Sequence, residues 1–219
     1  MANTFLLIST FFIIFLHASV ILGDNLDPVS ELDIDAYLGL WLSAYISKDL
    51  WPGQESSYCV RAKYDLKSEN IMHATNEYNQ GEVDGPVKGI MANLIQSEDP
   101  SIPGSFELKV KPIKLAQISA EYRIIQVGEK DEEGKYPWAV VYGPSIETIF
   151  VIYRQDIDFT KPGNSLTTLV KYLNSLPLTP RLEVNEADIV DSIQTYQPKS
   201  CDYEINLAKY WSDLSGTDE

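Results

Sequence analysis

LDIDAYLGLWLSAYIS, residues 32–47, is the stretch that decides the fold of this chain. Asp33 and Asp35 suit the first turn of a helix, because carboxylates are favoured where backbone N–H groups lack partners. Gly39 then allows the chain to bend sharply, and Trp41 leads into a run of strand-forming residues. A ring of this size is usually buried, with its indole N–H bonded to an acceptor. We therefore predict a short turn followed by a first strand with a core tryptophan.

The N-terminal residues 1–23 have the composition of a secretory signal peptide. Residues 6–22 are mostly apolar, no Lys or Arg precedes Lys48, and Asp24 follows the apolar run directly. An apolar run this short at the N-terminus is typical of a signal peptide rather than of a spanning helix. We predict cleavage after Gly23 and one mature domain over residues 24–219, with an uncleaved anchor as the alternative.

The charge balance is strongly acidic, with 17 basic and 32 acidic residues and a formal net charge of −15. Binding of nucleic acid requires a basic footprint, so the composition argues against a nucleic-acid partner. No second segment is long and apolar enough for stable membrane insertion. Solubility in an extracellular fluid explains the acidic surface, and attraction of a cationic ligand is the alternative.

The two cysteines, Cys59 and Cys201, predict one disulfide, because secreted chains with an even cysteine count usually pair them. The bond would close a loop of 142 residues (201 minus 59). On the chain-entropy account such a loop contributes about 4–5 kcal/mol to stability. Two free thiols are the alternative.

Residues suited to catalysis are scarce beyond the signal segment. His73 is the single histidine there, and one histidine cannot build a multi-histidine metal site. If the cysteines pair, no thiol nucleophile remains. We predict no catalytic residues, no metal site and no cofactor.

Strand patterns recur eight times along the chain. Residues 59–66 alternate apolar and polar side chains, which indicates a strand with one buried face. Turn residues such as Asp84-Gly85-Pro86 separate successive runs. The predicted strands span residues 41–46, 59–66, 70–78, 87–95, 105–111, 118–127, 138–142 and 146–153.

An apolar stripe at helical spacing follows the strands and consists of Leu166, Leu169, Val170 and Leu173. It predicts a helix over about 164–176, ended by Pro177, whereas residues 182–201 show a mixed pattern. Sequential antiparallel strands must cover their edges, and an up-and-down barrel does so. We therefore predict an all-β fold, an eight-stranded antiparallel barrel over about 34–155 with one C-terminal α-helix packed outside.

Several motifs make the chain resemble the lipocalins, in particular the apolipoprotein D and bacterial lipocalin branch. Gly39-Leu40-Trp41 is similar to the first family signature, and Ile152-Tyr153-Arg154 is similar to the third. Residues 59–64, CVRAKY, and 136–144, YPWAVVYGP, resemble the second and seventh strands of that branch. The second family signature, Thr-Asp-Tyr, is absent, and Gly134-Lys135-Tyr136 stands in its place.

The resemblance implies roles for two groups of residues. Gly39, Trp41 and Arg154 would form the closed floor of the barrel, with the arginine stacked over the indole. A guanidinium over an indole face contributes about 0.5–2 kcal/mol. Cys59 would pair with Cys201 and tie the C-terminal segment to the second strand.

Strand parity counted from this floor predicts which residues contact a ligand. The candidates share an inward position: Tyr45, Ala62, Tyr64, Phe106, Leu108, Tyr122, Trp138 and Val140. Four of them are expected nearest the open mouth: Tyr45, Phe106, Tyr122 and Trp138. An apolar, aromatic cavity with a few hydroxyls suits a lipid, a retinoid, a sterol-like compound or a pigment.

These patterns favour a secreted lipocalin that binds and transports a small hydrophobic ligand and has no enzymatic activity. One alternative is an enzyme of the same fold that modifies a lipid or isoprenoid at the barrel mouth. Another is a structural subunit of a pigment complex. Homodimer formation and the identity of the ligand are left open.

Overall fold

The computed structural model describes residues 26–47, 56–110, 118–160, 164–178 and 182–205. The predicted signal segment and its cleavage site lie outside the described residues. Eight strands occur in the described ranges: β1 (Gly39–Ile46), β2 (Ser57–Ser68), β3 (Ile71–Gln80), β4 (Val87–Gln96), β5 (Ser105–Val110), β6 (Ile118–Val127), β7 (Trp138–Gly143) and β8 (Thr148–Tyr153). The same ranges contain the helices α1 (Ile34–Tyr37), α2 (Leu166–Ser175) and α3 (Glu186–Tyr196), and a 3₁₀ turn at Pro144–Ile146.

The strands form a closed antiparallel barrel in which each strand pairs with the next along the chain. β8 returns to β1, where Leu42 lies opposite Tyr153 and Ser43 opposite Ile152. Closure of this kind gives every strand a neighbour on both sides, which removes the exposed edges of an open sheet. The predicted eight-stranded up-and-down barrel and the predicted helix outside it are confirmed.

The entry into the barrel is built by local hydrogen bonds and one glycine. The Asp33 carboxylate caps α1 by accepting from the backbone N–H of Ala36 at 3.2 Å. Gly39 then has φ of +108°, and a Cβ at this position would lie 3.2 Å from Nη1 of Arg154. A positive φ and the close approach of the guanidinium together require glycine here.

Two apolar layers are separated by the barrel wall. The inner layer fills the lower part of the barrel and includes Trp41, Tyr64 and Ile124. The outer layer lies between the barrel and the helices and includes Leu42 of β1 and Leu169 of α2. Adjacent residues of one strand therefore pack in different layers, because side chains alternate between the two faces of the sheet.

A second C-terminal helix, α3, lies in the region whose sequence pattern is mixed. Its first turn has a capping box, in which Asn185 and Asp188 each accept from the other residue's backbone N–H. The helix packs on β1 and β2 with Ile189 fully buried. No helix within the described ranges has the length and apolar character needed to span a bilayer.

The C-terminal segment returns to the barrel through a disulfide between Cys59 and Cys201. The two residues are separated by 142 positions in sequence, with Cα atoms 5.5 Å apart. The predicted disulfide is therefore confirmed, and the described residues contain no free cysteine.

Candidate functional site

The floor of the barrel is a stacked pair of side chains at its closed end. The guanidinium carbon of Arg154 lies 3.8 Å from the centroid of the Trp41 ring. The indole N–H of Trp41 donates to the carbonyl of Tyr37 at 2.8 Å, so the polar atom of this fully buried ring has a partner. The pair closes one end of the barrel.

The guanidinium of Arg154 is held by backbone carbonyls. It donates to the carbonyls of Ala36, Tyr37, Leu38, Leu40 and Tyr136. Burial lowers the pKa of Arg154 to about 10, so the group still carries its charge at neutral pH. The arginine therefore joins α1, the start of β1 and the segment before β7.

A cavity of about 830 Å³ lies above this floor. Its surface is mostly apolar, and the inward-facing residues that contribute to it include Trp41, Ala62, Tyr64, Ala74, Leu94, Leu108, Ala120, Tyr122, Val141, Phe150 and Ile152. A cavity of this volume with few polar groups is typical of sites for small organic ligands.

The upper rim of the cavity carries exposed apolar side chains. Ile90 of β4 and Ile146 of the turn before β8 line the cavity and are 49% and 48% exposed. Two large aliphatic side chains therefore stand where the cavity meets solvent.

Three tyrosine hydroxyls meet inside the barrel. The Tyr122 hydroxyl lies 2.7 Å from that of Tyr37 and 2.9 Å from that of Tyr64. Tyr64 and Tyr122 line the cavity, whereas Tyr37 is fully buried behind them. Burial raises the pKa of each tyrosine. The three phenols are therefore neutral at physiological pH and act as hydrogen-bond donors and acceptors.

One side of the cavity is closed by α3 and the residue that follows it. The direct pairing of β1 with β2 ends at Leu42 opposite Arg61. Just beyond that point, the side-chain amide of Gln197 donates to the carbonyls of Ser43 at 3.1 Å and Val60 at 2.7 Å. Gln197 therefore bridges two strands that no longer pair with each other.

A buried ion pair lies next to this bridge. Arg61 Nη2 is 2.7 Å from Glu77 Oε2, and the two side chains are 3% and 2% exposed. Arg61 also donates to the carbonyl of Cys59 and to Asn79 Oδ1. An unpaired charge at this depth would be strongly destabilising, so Arg61 and Glu77 must stay together. Their pairing therefore holds in place the bulged part of β2 that carries the disulfide.

The carboxylates on the cavity surface have protein partners. Three acidic side chains line it, and their partners are Arg61 for Glu77, Arg123 for Glu121 and the backbone N–H of Asn185 for Asp188. Among the described residues, no group of three or more His, Cys, Asp or Glu side chains is arranged to hold a metal ion.

Five of the predicted ligand-contacting residues lie on the cavity surface: Tyr45, Ala62, Tyr64, Leu108 and Tyr122. Phe106 belongs to the inner layer and packs edge-on against Tyr122, near the closed end. The expected position of Phe106 and Tyr122 near the mouth is wrong, because β5 starts at the closed end and Tyr122 reaches Tyr37 of α1.

Trp138 and Val140 lie on the outer face of the barrel, in the layer that packs against the helices. The parity expected for β7 is therefore wrong, and its neighbours Ala139 and Val141 belong to the inner layer. Every residue of β7 is buried, so alternation in the sequence carries no information about which face is inside.

A bulge changes the parity of β1 as well. The register with β8 shifts between Ser43 and Tyr45, which places Tyr45 opposite outward-facing Val151 and Ile46 opposite Phe150. Tyr45 packs against the outer layer and reaches the cavity at the side that α3 closes. Burial raises the pKa of Tyr45, and the nearby charge of Asp188 raises it further.

The sequence patterns missed Tyr37 and the side wall formed by Ser192, Tyr196 and Gln197. The helix that carries the side wall could have been predicted, because Asn185-x-x-Asp188 is a capping-box pattern that precedes apolar residues at helical spacing. The sequence indicates the position of Tyr37 less clearly, through its place four positions before the core tryptophan.

Comparisons with known proteins identify the fold. No protein-family model matches the chain, and no curated protein sequence is similar to it. A biogenic amine-binding protein has a TM-score of 0.56 with 11% identity over 89% of this chain and 96% of its own. The tryptamine complex of the amine binding protein of Rhodnius prolixus has a TM-score of 0.54 with 13% identity over 88% and 92% of the two chains. Both are lipocalin-fold proteins, and the likeness shows that this chain has the same fold.

Proposed function

We propose that this protein is a secreted binding protein that carries one small hydrophobic molecule in its barrel. The observation that carries the proposal is the cavity of about 830 Å³. Its Trp41–Arg154 floor is closed and its rim presents Ile90 and Ile146 to solvent. A lipid, a retinoid, a sterol-like compound or a pigment has the apolar surface that such a cavity would cover.

Secretion is supported by the N-terminal apolar segment and by the disulfide between Cys59 and Cys201. Disulfides persist in oxidising compartments and are rare in the cytosol. We expect the secreted protein to begin at Asp24 in N-terminal sequencing. Recovery of the full-length chain from a membrane fraction would contradict the proposal.

The assignment to the apolipoprotein D and bacterial branch rests on the sequence motifs at 59–64 and 136–144.

A binding role is favoured over catalysis, because each carboxylate on the cavity surface is already engaged by an arginine or a backbone N–H. The two structural neighbours are amine-binding proteins by their descriptions. At 11% and 13% identity the likeness concerns the fold, so we do not extend amine binding to this chain.

The test is a fluorescence titration with the uncharged probe N-phenylnaphthylamine. Wild type should bind one probe per chain. Ala120→Trp places an indole on the cavity surface and should weaken probe binding by about tenfold or more, because each buried CH₂ equivalent displaced removes about 0.8 kcal/mol.

The matched control is Ala187→Trp, which adds the same side chain at an exposed position of α3. It should bind the probe like wild type. Equal affinity of all three proteins would place the probe outside the barrel and contradict the proposal.

A further inference from the structure

The tyrosine cluster contains more hydrogen-bond donors than it uses. Each of the three hydroxyls of Tyr37, Tyr64 and Tyr122 has one hydrogen. The cluster makes two hydrogen bonds, Tyr37 to Tyr122 and Tyr64 to Tyr122, and each bond uses one hydrogen. Whichever atoms donate, one hydroxyl hydrogen is left without an acceptor among these three groups.

In the arrangements in which Tyr37 donates to Tyr122, the remaining hydrogen belongs to Tyr64 or Tyr122, where a ligand in the cavity can reach it. Tyr64 is only 4% exposed, and both Tyr64 and Tyr122 lie on the cavity surface. The other inward-facing groups around them are apolar, such as Leu94, Leu108 and Val141. A buried hydroxyl without an acceptor is destabilising, so a ligand that supplies an acceptor here gains affinity.

The charges around the cluster select the kind of acceptor. The charged Arg154 lies beneath Tyr37 and disfavours a cationic group at the floor. Its own donors are directed to backbone carbonyls, so it does not pair with an anionic ligand. One free hydroxyl hydrogen is too little to stabilise a desolvated carboxylate, which needs several donors, but it matches one uncharged oxygen.

The geometry points to a ligand with an uncharged oxygen acceptor, such as a ketone or aldehyde, that is bound by the hydroxyls of Tyr64 and Tyr122 above the barrel floor. This inference rests on the proposed function, because it assigns a ligand class to the same cavity. It adds a polar recognition point to an otherwise apolar site.

The experiment measures displacement of N-phenylnaphthylamine by two compounds that differ in one group. Hexanophenone carries a carbonyl where hexylbenzene carries a CH₂. The ratio of their affinities in wild type is compared with the ratio in a Tyr64→Phe/Tyr122→Phe double variant, which removes both hydroxyls from the cavity surface and keeps the rings. We expect the preference for the ketone to fall about fivefold to tenfold, the effect of one hydrogen bond.

One single variant serves as the control. Tyr172→Phe removes a hydroxyl that donates to the carbonyl of Ile125 outside the cavity and should leave the ketone preference unchanged.

The infrared carbonyl band of bound hexanophenone gives a second readout that needs no variant. In wild type the band should lie at lower frequency than in hexane, and a band at the hexane position would overturn the inference. An unchanged ratio of the two affinities in the double variant would also overturn the inference, but it would leave the proposed function standing.

Charged compounds of similar size complete the test. Tighter binding of the anion phenylhexanoate (a carboxylate with a terminal phenyl ring) or of the cation phenylhexylammonium than of hexanophenone would overturn the choice of an uncharged oxygen. If none of the four compounds displaces the probe and the probe itself does not bind, the proposed function fails as well.

Discussion

Arg154 joins three segments at the barrel floor, because its guanidinium stacks on Trp41 and donates to backbone carbonyls of each segment. Hydrogen bonds from a charged donor contribute more than neutral ones. Removal of the side chain would leave carbonyls at the floor without a donor and expose one face of the indole.

We therefore expect Arg154→Met to lower the free energy of unfolding by about 2–4 kcal/mol. Lys109→Met is the control, because its ion pair with Glu107 lies at the surface and contributes little. Urea denaturation measures both. A loss below about 1 kcal/mol for Arg154→Met would show that the floor does not depend on this residue.

Tyr37 gives a pH dependence at alkaline pH. Burial raises its pKa well above the ordinary value, so the folded protein keeps the proton after the unfolded chain has lost it. Above about pH 10 the unfolded state then binds fewer protons than the folded state, and stability falls as the pH rises.

Tyr37→Phe removes this contribution, so its Tm should fall less steeply than that of wild type between about pH 9 and pH 11. Thermal unfolding followed by circular dichroism measures the slopes. Parallel slopes would contradict the assignment of a raised pKa to Tyr37.

At the scale of elements, α3 acts as part of the barrel wall through Gln197. The amide bridges Ser43 and Val60 where β1 and β2 stop pairing, and its oxygen accepts from the Tyr203 hydroxyl at 3.1 Å. The bridge satisfies two strand carbonyls that would otherwise lack a donor at this point.

Replacing the amide with a carboxylate should open this wall. We expect Gln197→Glu to lower the free energy of unfolding by about 2–3 kcal/mol, because an acceptor would face two carbonyls. Amide hydrogen exchange should become faster in residues 43–46 and 57–60. Gln194→Glu, an exposed change on the same helix, should leave both quantities unchanged, and equal effects of the two variants would contradict the bridging role.

Elements differ in how well their sequence predicts them. The apolar stripe of α2 matches its buried face, so that helix was predictable. The alternation of β2 predicted a strand with Ala62 and Tyr64 inside, but the structure also buries Cys59 and Arg61 of its polar face and leaves Leu66 half exposed. β7 is buried on both faces, and Trp138 could therefore be assigned inside although it lies outside. The pairing register of β7 with β8 decides which face of β7 is inside. Ala139 lies opposite Ile152, which shares the inward face of Arg154 two positions later, so Trp138 faces outward.

At the scale of the whole molecule, the barrel order followed from the succession of strands, and the cavity required three-dimensional information. The tyrosine cluster joins α1, β2 and β6 through residues 85 positions apart in the case of Tyr37 and Tyr122. No local pattern encodes such a contact. The bulge after Ser43 and the side wall from α3 likewise depend on packing between distant segments.

The disulfide connects the last described segment to β2 and should stabilise the whole fold. We expect a Cys59→Ser/Cys201→Ser variant to lose about 2–5 kcal/mol of unfolding free energy. Reduced wild type is the matched comparison and should show a similar loss in urea denaturation. Unchanged stability in both would mean that the C-terminal segment holds its position without the bond.

The most direct test of the central claim is an isotope-filtered NOE spectrum of labelled protein with unlabelled hexanophenone. A ligand inside the barrel should show NOEs to the methyl groups of Ala62, Ala74 and Val141, which face the cavity, and to the rings of Tyr64 and Tyr122. NOEs confined to outer-layer residues such as Val140 and Leu169 would contradict binding in the barrel.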